Sequence, residues 1–83
     1  MNPVKLYERL LANPKGVISF RNFESLLRAF DFQLDRTTGS HRQYVHPLVP
    51  RSFPVQPHAK DAKRYQVREF LELVETYGLH IEE

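Results

Sequence analysis

The chain has 83 residues, no cysteine, 41% hydrophobic and 12% aromatic residues, and a formal net charge of +2. That length accommodates one domain with one modest core, and the apolar content is too high for a disordered chain. Disulfide staples are excluded, which accords with a reducing, cytoplasmic setting, and no apolar run is long enough to span a bilayer.

Asn2 is placed to cap a helix that has Pro3 at its first position and Val4, Tyr7, Leu10 and Leu11 at helical spacing. The run Asn13-Pro14-Lys15-Gly16 ends it. Ser19 caps a second helix, whose wide aromatic face comprises Phe20, Phe23, Leu26, Leu27 and Phe30. Asp31 then stands where the chain must leave the helix; aspartate tolerates the left-handed conformation that glycine usually supplies there. The period changes to two over residues 32–36 and 41–46, predicting two strands joined by a turn at 37–40 and closed by Pro47. A short third strand falls around 53–56, where its prolines confine it to an edge. From Asp61 to Tyr77, Val67, Phe70, Leu71, Val74 and Tyr77 form a helical stripe that Gly78 stops. Helix, helix, three strands, helix is the order of an α+β fold: a three-stranded antiparallel sheet with helices packed on one face.

Charge is unevenly distributed along this order. Residues 36–68 carry Arg36, Arg42, Arg51, Lys60, Lys63, Arg64 and Arg68 against Asp61 alone, and the last fifteen residues carry glutamates without Lys or Arg. A basic block of this kind suits a polyanion, most often phosphate groups. Lys60, Lys63 and Arg64 crowd the first turn of the last helix, where the dipole disfavours cations unless an anion is bound. The competing reading is a solvated basic face beside an acidic tail.

Among the four histidines, His41 follows Gly39-Ser40 at a strand start, where the glycine permits close backbone approach. Imidazole both takes and gives a proton near neutral pH, and RNA carries its own nucleophile in the 2′-hydroxyl. His46 alternates with Tyr44 and faces the other side of the strand; His58 lies in a loop and His80 beyond the last helix. With no cysteine and scattered histidines, no metal site is expected.

The segments Phe20–Leu27, Phe32–Arg36, Gly39-Ser40-His41-Arg42 and Tyr44-Val45-His46-Pro47 resemble the HicA family of toxins, and Gln56–His58, Lys63–Arg68 and Tyr77–Leu79 resemble one branch of it. The resemblance covers residues 19–79 and leaves 1–18 as an N-terminal helical extension and 80–83 as an acidic tail. It implies a fold like that of double-stranded-RNA-binding domains, a metal-independent endoribonuclease activity on messenger RNA without a cofactor, and neutralisation by a HicB-type antitoxin. It places the catalytic histidine at His41, with RNA contacts expected from Gly39, Ser40, Arg42, Lys60, Lys63 and Arg64. Asp31 stands where the family commonly has glycine. The alternative is a non-catalytic RNA-binding module of the same fold, in which His41 only contacts phosphate or ribose.

Overall fold

The computed structural model describes residues 2–81. Helix α1 (Pro3–Ala12) begins where the Asn2 side chain accepts a 2.8 Å hydrogen bond from the Val4 amide. Helix α2 (Phe20–Ala29) begins where the Ser19 hydroxyl accepts from the Asn22 amide at 3.1 Å. At its far end the Asp31 amide donates to the Arg28 carbonyl and the Phe32 amide to the Leu27 carbonyl, both at 3.0 Å. Those paired bonds close a helix through a left-handed residue, and Asp31, with φ 73°, is that residue. The turn delivers Phe32 directly into the core.

Strands β1 (Gln33–Thr38), β2 (His41–Val45) and β3 (Phe53–Val55) form the expected antiparallel meander in the order β1-β2-β3. The first turn is tighter than the sequence predicts. Thr37 and Thr38 extend β1 by pairing with Arg42 and His41, leaving only Gly39-Ser40 to cross over. A positive φ at Gly39 (61°) and none at Ser40 is the pattern of a type II′ turn, which matches the twist of a hairpin. β1 is also not the half-buried strand that alternation predicts: all six residues are exposed. It lies at the sheet edge, and a register shift between Leu34 and Arg36 breaks its alternation.

A second correction concerns the last helix, which begins at Arg64 rather than Asp61. Residues Pro57–His58 (β4) and Asp61–Ala62 (β5) form a small hairpin, and only then does α3 (Arg64–Tyr77) start, ending at left-handed Gly78. The hairpin is strapped to the entry of α2. The Ala62 amide donates to the Ile18 carbonyl and the Phe20 amide to the Lys60 carbonyl, at 3.0 and 2.8 Å. Backbone groups engaged in this way are not available to a helical turn.

The core lies between the helices and one face of the sheet, which contributes Tyr44, Phe53 and Val55. Phe70 of α3 sits at its centre, its ring 5.8, 5.3 and 6.2 Å from those of Phe23, Phe30 and Phe32. Tyr7 packs edge-on against Phe30 at 5.0 Å and joins α1 to the same cluster. No helix among the described residues is long and apolar enough to cross a membrane. The acidic tail expected at 80–83 extends into residues 82 and 83, which lie outside the described residues.

Because a left-handed φ strains any residue with a Cβ, Asp31→Gly is expected to stabilise the protein by about 0.5–1 kcal/mol. Urea denaturation checks this through the transition midpoint. A lower midpoint in the variant would show that the aspartate side chain contributes more than its backbone strain costs.

Candidate functional site

The site is organised by which way β2 faces. Glu24 of α2 is buried, at 6% exposure, and its carboxylate accepts from the Arg42 guanidinium Nη1 at 2.6 and 2.8 Å. It also accepts from the Tyr44 hydroxyl at 2.7 Å, and Tyr44 in turn accepts from Arg28 at 3.3 Å. The Arg42 guanidinium lies 5.5 Å from the centre of the Phe20 ring. Arg42 and Tyr44 therefore share the face that meets Glu24, and Arg42, expected beside the histidine as an RNA contact, has its Nη1 engaged by that carboxylate while its side chain remains 45% exposed. The hydrogen bond to Glu24, with its charge, raises the Arg42 pKa. Burial first, and then the bond to Glu24, push the Tyr44 hydroxyl up to about 12.

Alternation along the strand turns His41 to the opposite, solvent-facing side. Its side chain is exposed and has no hydrogen bond or ion pair to another described residue. The register sets Thr38 directly across from His41 and Arg36 across from Gln43. Arg36 is thus a diagonal cross-strand neighbour of His41, in the arrangement whose Cα atoms lie ~7–8 Å apart. Among the described residues its one ion pair, with Asp35 at 3.9 Å, is long and exposed. Nothing in the sequence pattern marks Arg36 as a companion to His41. Period-two alternation alone does not give the register that brings them together.

The Gly39-Ser40 turn is linked to the start of α3. The Ser40 hydroxyl is 3.4 Å from the Gln56 side-chain oxygen, and the Gln56 amide donates to the Gln66 side chain at 3.1 Å. Gln66 is buried in the first turn of α3 and also reaches the Pro54 carbonyl at 3.4 Å. Ser40, Gln56 and Gln66 thus join the hairpin of His41 to the helix turn that begins with Lys63 and Arg64. Lys63 is the N-cap residue of that helix and makes no side-chain cap, and no acid occupies the first turn. Lys60 sits on the hairpin before the helix, beside Ala59, which has a positive φ of 55°. Nothing fills the space beside Gly39 within 4 Å, so its backbone is open to approach.

His46 is used structurally. Its ring contacts Phe32 at 5.0 Å and its Nε2 lies 2.9 Å from the Phe30 carbonyl, on the helix side and away from His41. Among the described residues, no three His, Cys, Asp or Glu side chains are grouped so as to hold a metal ion.

A family model described as the HicA toxin of bacterial toxin–antitoxin systems matches residues 20–75, more than half of the chain. The chain belongs to the HicA toxin family. It is therefore the toxin of a toxin–antitoxin pair, in a family of messenger-RNA-cleaving toxins, and membership implies an antitoxin partner and an RNA substrate. The match spans α2, the sheet, the small hairpin and most of α3; α1 lies outside it. No curated protein and no solved structure matches the chain significantly.

Two expectations follow from this arrangement. The unfolded chain releases the Tyr44 proton near pH 10.0, whereas the folded protein keeps it to about 12. The unfolded state then binds fewer protons, so stability that is complete below pH 10 is lost as pH rises through that window. Tyr44→Phe lacks this component, so the stability difference between wild type and variant should shrink from pH 10 to about 12; a constant difference across that range would contradict it. Separately, Lys63→Asp supplies the missing cap and favours the helix dipole, and should raise stability by about 1 kcal/mol in thermal unfolding. No gain would mean that Lys63, 5.9 Å above the Tyr65 ring, already contributes as much.

Proposed function

We propose that this HicA toxin cuts messenger RNA in the cytoplasm by acid–base chemistry at His41, and that a HicB-type antitoxin neutralises it. The observation that carries the reading is the exposed imidazole of His41, without a partner among the described residues, on a hairpin hydrogen-bonded, through Gln56 and Gln66, to a basic helix start. The ribose 2′-hydroxyl attacks the adjacent phosphorus; the O2′–P bond forms and the P–O5′ bond breaks. His41 takes the proton from the 2′-hydroxyl or supplies one to the departing 5′ oxygen, and water makes the other transfer. The nucleophile comes from the substrate, so the proposed step does not call on a metal-bound water or a cofactor to supply it.

Charge develops on the non-bridging phosphate oxygens as the bond order changes, and a cation aimed there lowers the barrier. Arg36, on the face of His41, is better placed for this than Arg42, which Glu24 holds on the other face. Lys63 and Arg64, together with the uncapped first amides of α3, hold a phosphate elsewhere along the strand, and Lys60 adds to the same field. The open backbone of Gly39 and the Ser40 hydroxyl let the RNA approach the imidazole closely.

His41→Ala should abolish cutting while leaving the circular dichroism spectrum unchanged. A substrate with a single 2′-deoxy sugar at the cleavage position should be resistant to the wild type. If the variant cuts at the parental rate, the protein binds RNA without using His41 in the chemistry. If the deoxy substrate is cut, the nucleophile is not the 2′-hydroxyl. Lys63→Asp should weaken binding of all RNA sequences alike and lower its salt dependence, because fewer counterions are released.

A further inference from the structure

We propose that a cleft between the α1–α2 connection and the start of α3 receives one unpaired base of the bound RNA, a proposal that rests on RNA being the substrate of His41. The cleft has a volume of about 350 Å³, and its lining includes Val17, His58, Asp61, Tyr65 and Val67. That volume lies at the small end of the range for ligand sites, on the order of 300–1,000 Å³, and suits a flat heterocycle.

Its walls are unusual for surface that stays in water. Val17 is the most exposed of the large hydrophobic side chains among the described residues, at 70%, and Tyr65, also in the lining, is 61% exposed. Both could have been polar without disturbing the core. An exposed tyrosine offers a base its π-face, and stacking of this kind is worth binding energy for any base. Lys63 and Arg64 line the same cleft, so an aromatic surface and the cations that hold phosphate stand side by side.

The chemistry of the lining also says which part of a nucleotide enters. Asp61 lies in the wall and would repel a phosphate, whereas its carboxylate accepts hydrogen bonds from a base N–H. His58 offers a further polar edge. A paired base has its edge engaged and its faces stacked, so the guest is a base splayed out of a single strand. The cleft is linked to the cutting site through the chain: Gln56, which ties the Ser40 turn to α3, immediately precedes the strand that carries His58. One wall, Val17, comes from outside the residues that match the family model. An antitoxin segment would meet the same cations, but a small cleft walled by an aromatic ring and a valine fits a planar ring better than a peptide.

The test compares wild type, Tyr65→Ala and Val17→Ser for binding to a short single-stranded RNA and to its fully paired duplex, on protein shown by thermal unfolding to be folded. The single-stranded RNA carries a 2′-deoxy sugar at the cleavage position so that it survives. Tyr65→Ala should weaken single-strand binding by about tenfold or more, the scale of one lost base stack, with Val17→Ser weaker in the same direction. Duplex binding and the salt dependence should not change, and an abasic position in the single strand should reproduce the Tyr65→Ala loss with wild-type protein. Equal single-strand binding by all three proteins overturns the cleft proposal while leaving cutting at His41 standing. Loss of antitoxin binding with RNA binding intact overturns it in favour of protein docking. A wild type that binds neither RNA overturns the reading on which it rests.

Discussion

A buried carboxylate on one helix decides which way the central strand faces, and the site follows from that. A carboxylate buried as Glu24 is needs hydrogen-bonding partners, and Arg42 and Tyr44 supply them at 2.6–2.8 Å. Both partners lie on β2, two residues apart, so they lock the strand in one phase against α2. A shift of a single residue would leave Glu24 facing the neighbouring side chains and would turn His41 into the core. The same contact that satisfies a buried charge therefore holds the imidazole in solvent, on the face where Arg36 also lies. Arg42 thus helps to hold the scaffold through Nη1, while its side chain stays 45% exposed.

Apart from the left-handed Asp31, departures from good local structure gather around the start of α3. The α3 start has a lysine where a capping side chain belongs and no acid in its first turn, and Ala59 nearby adopts a left-handed φ. The other two helix starts are capped by Asn2 and Ser19, and the α3 C-terminus has its left-handed glycine. Sequences that obey local rules elsewhere and break them together at one place are usually serving a ligand there. A phosphate bound at that end would relieve the clustered cations and the uncapped amides at once.

Much of this was legible in the sequence, and the reasons for the rest are physical. The stripes of α2 and α3 are long and strongly periodic, the change of period after Asp31 marks the meander, and both Asp31 and Gly78 adopt the left-handed conformation expected of them. His41 was legible as an exposed histidine because alternation sets it opposite Tyr44's face. The β4–β5 hairpin was not legible: two-residue strands leave no period, and what holds them is backbone bonding to Ile18 and Phe20, far away in the chain. The same hairpin explains why α3 starts three residues later than its apolar stripe suggests. The partnership of Arg42 with Glu24 was hidden for a related reason, since a basic strand residue reads alike whether its partner is a phosphate or a carboxylate eighteen residues away.

The central claim is that RNA lies across the Gly39-Ser40-His41 hairpin and the start of α3 as one continuous surface. Its most direct test is a nuclear magnetic resonance titration of the isotopically labelled protein with a non-cleavable single-stranded RNA, following the backbone amides and the His41 imidazole. The account predicts that the perturbed amides form one patch containing residues 39–41 and 63–66, with the His41 ring resonances shifting in step and those of His46 unmoved. Perturbations confined to α1 or the far end of α3, with the His41 ring unaffected at saturating RNA, would contradict it.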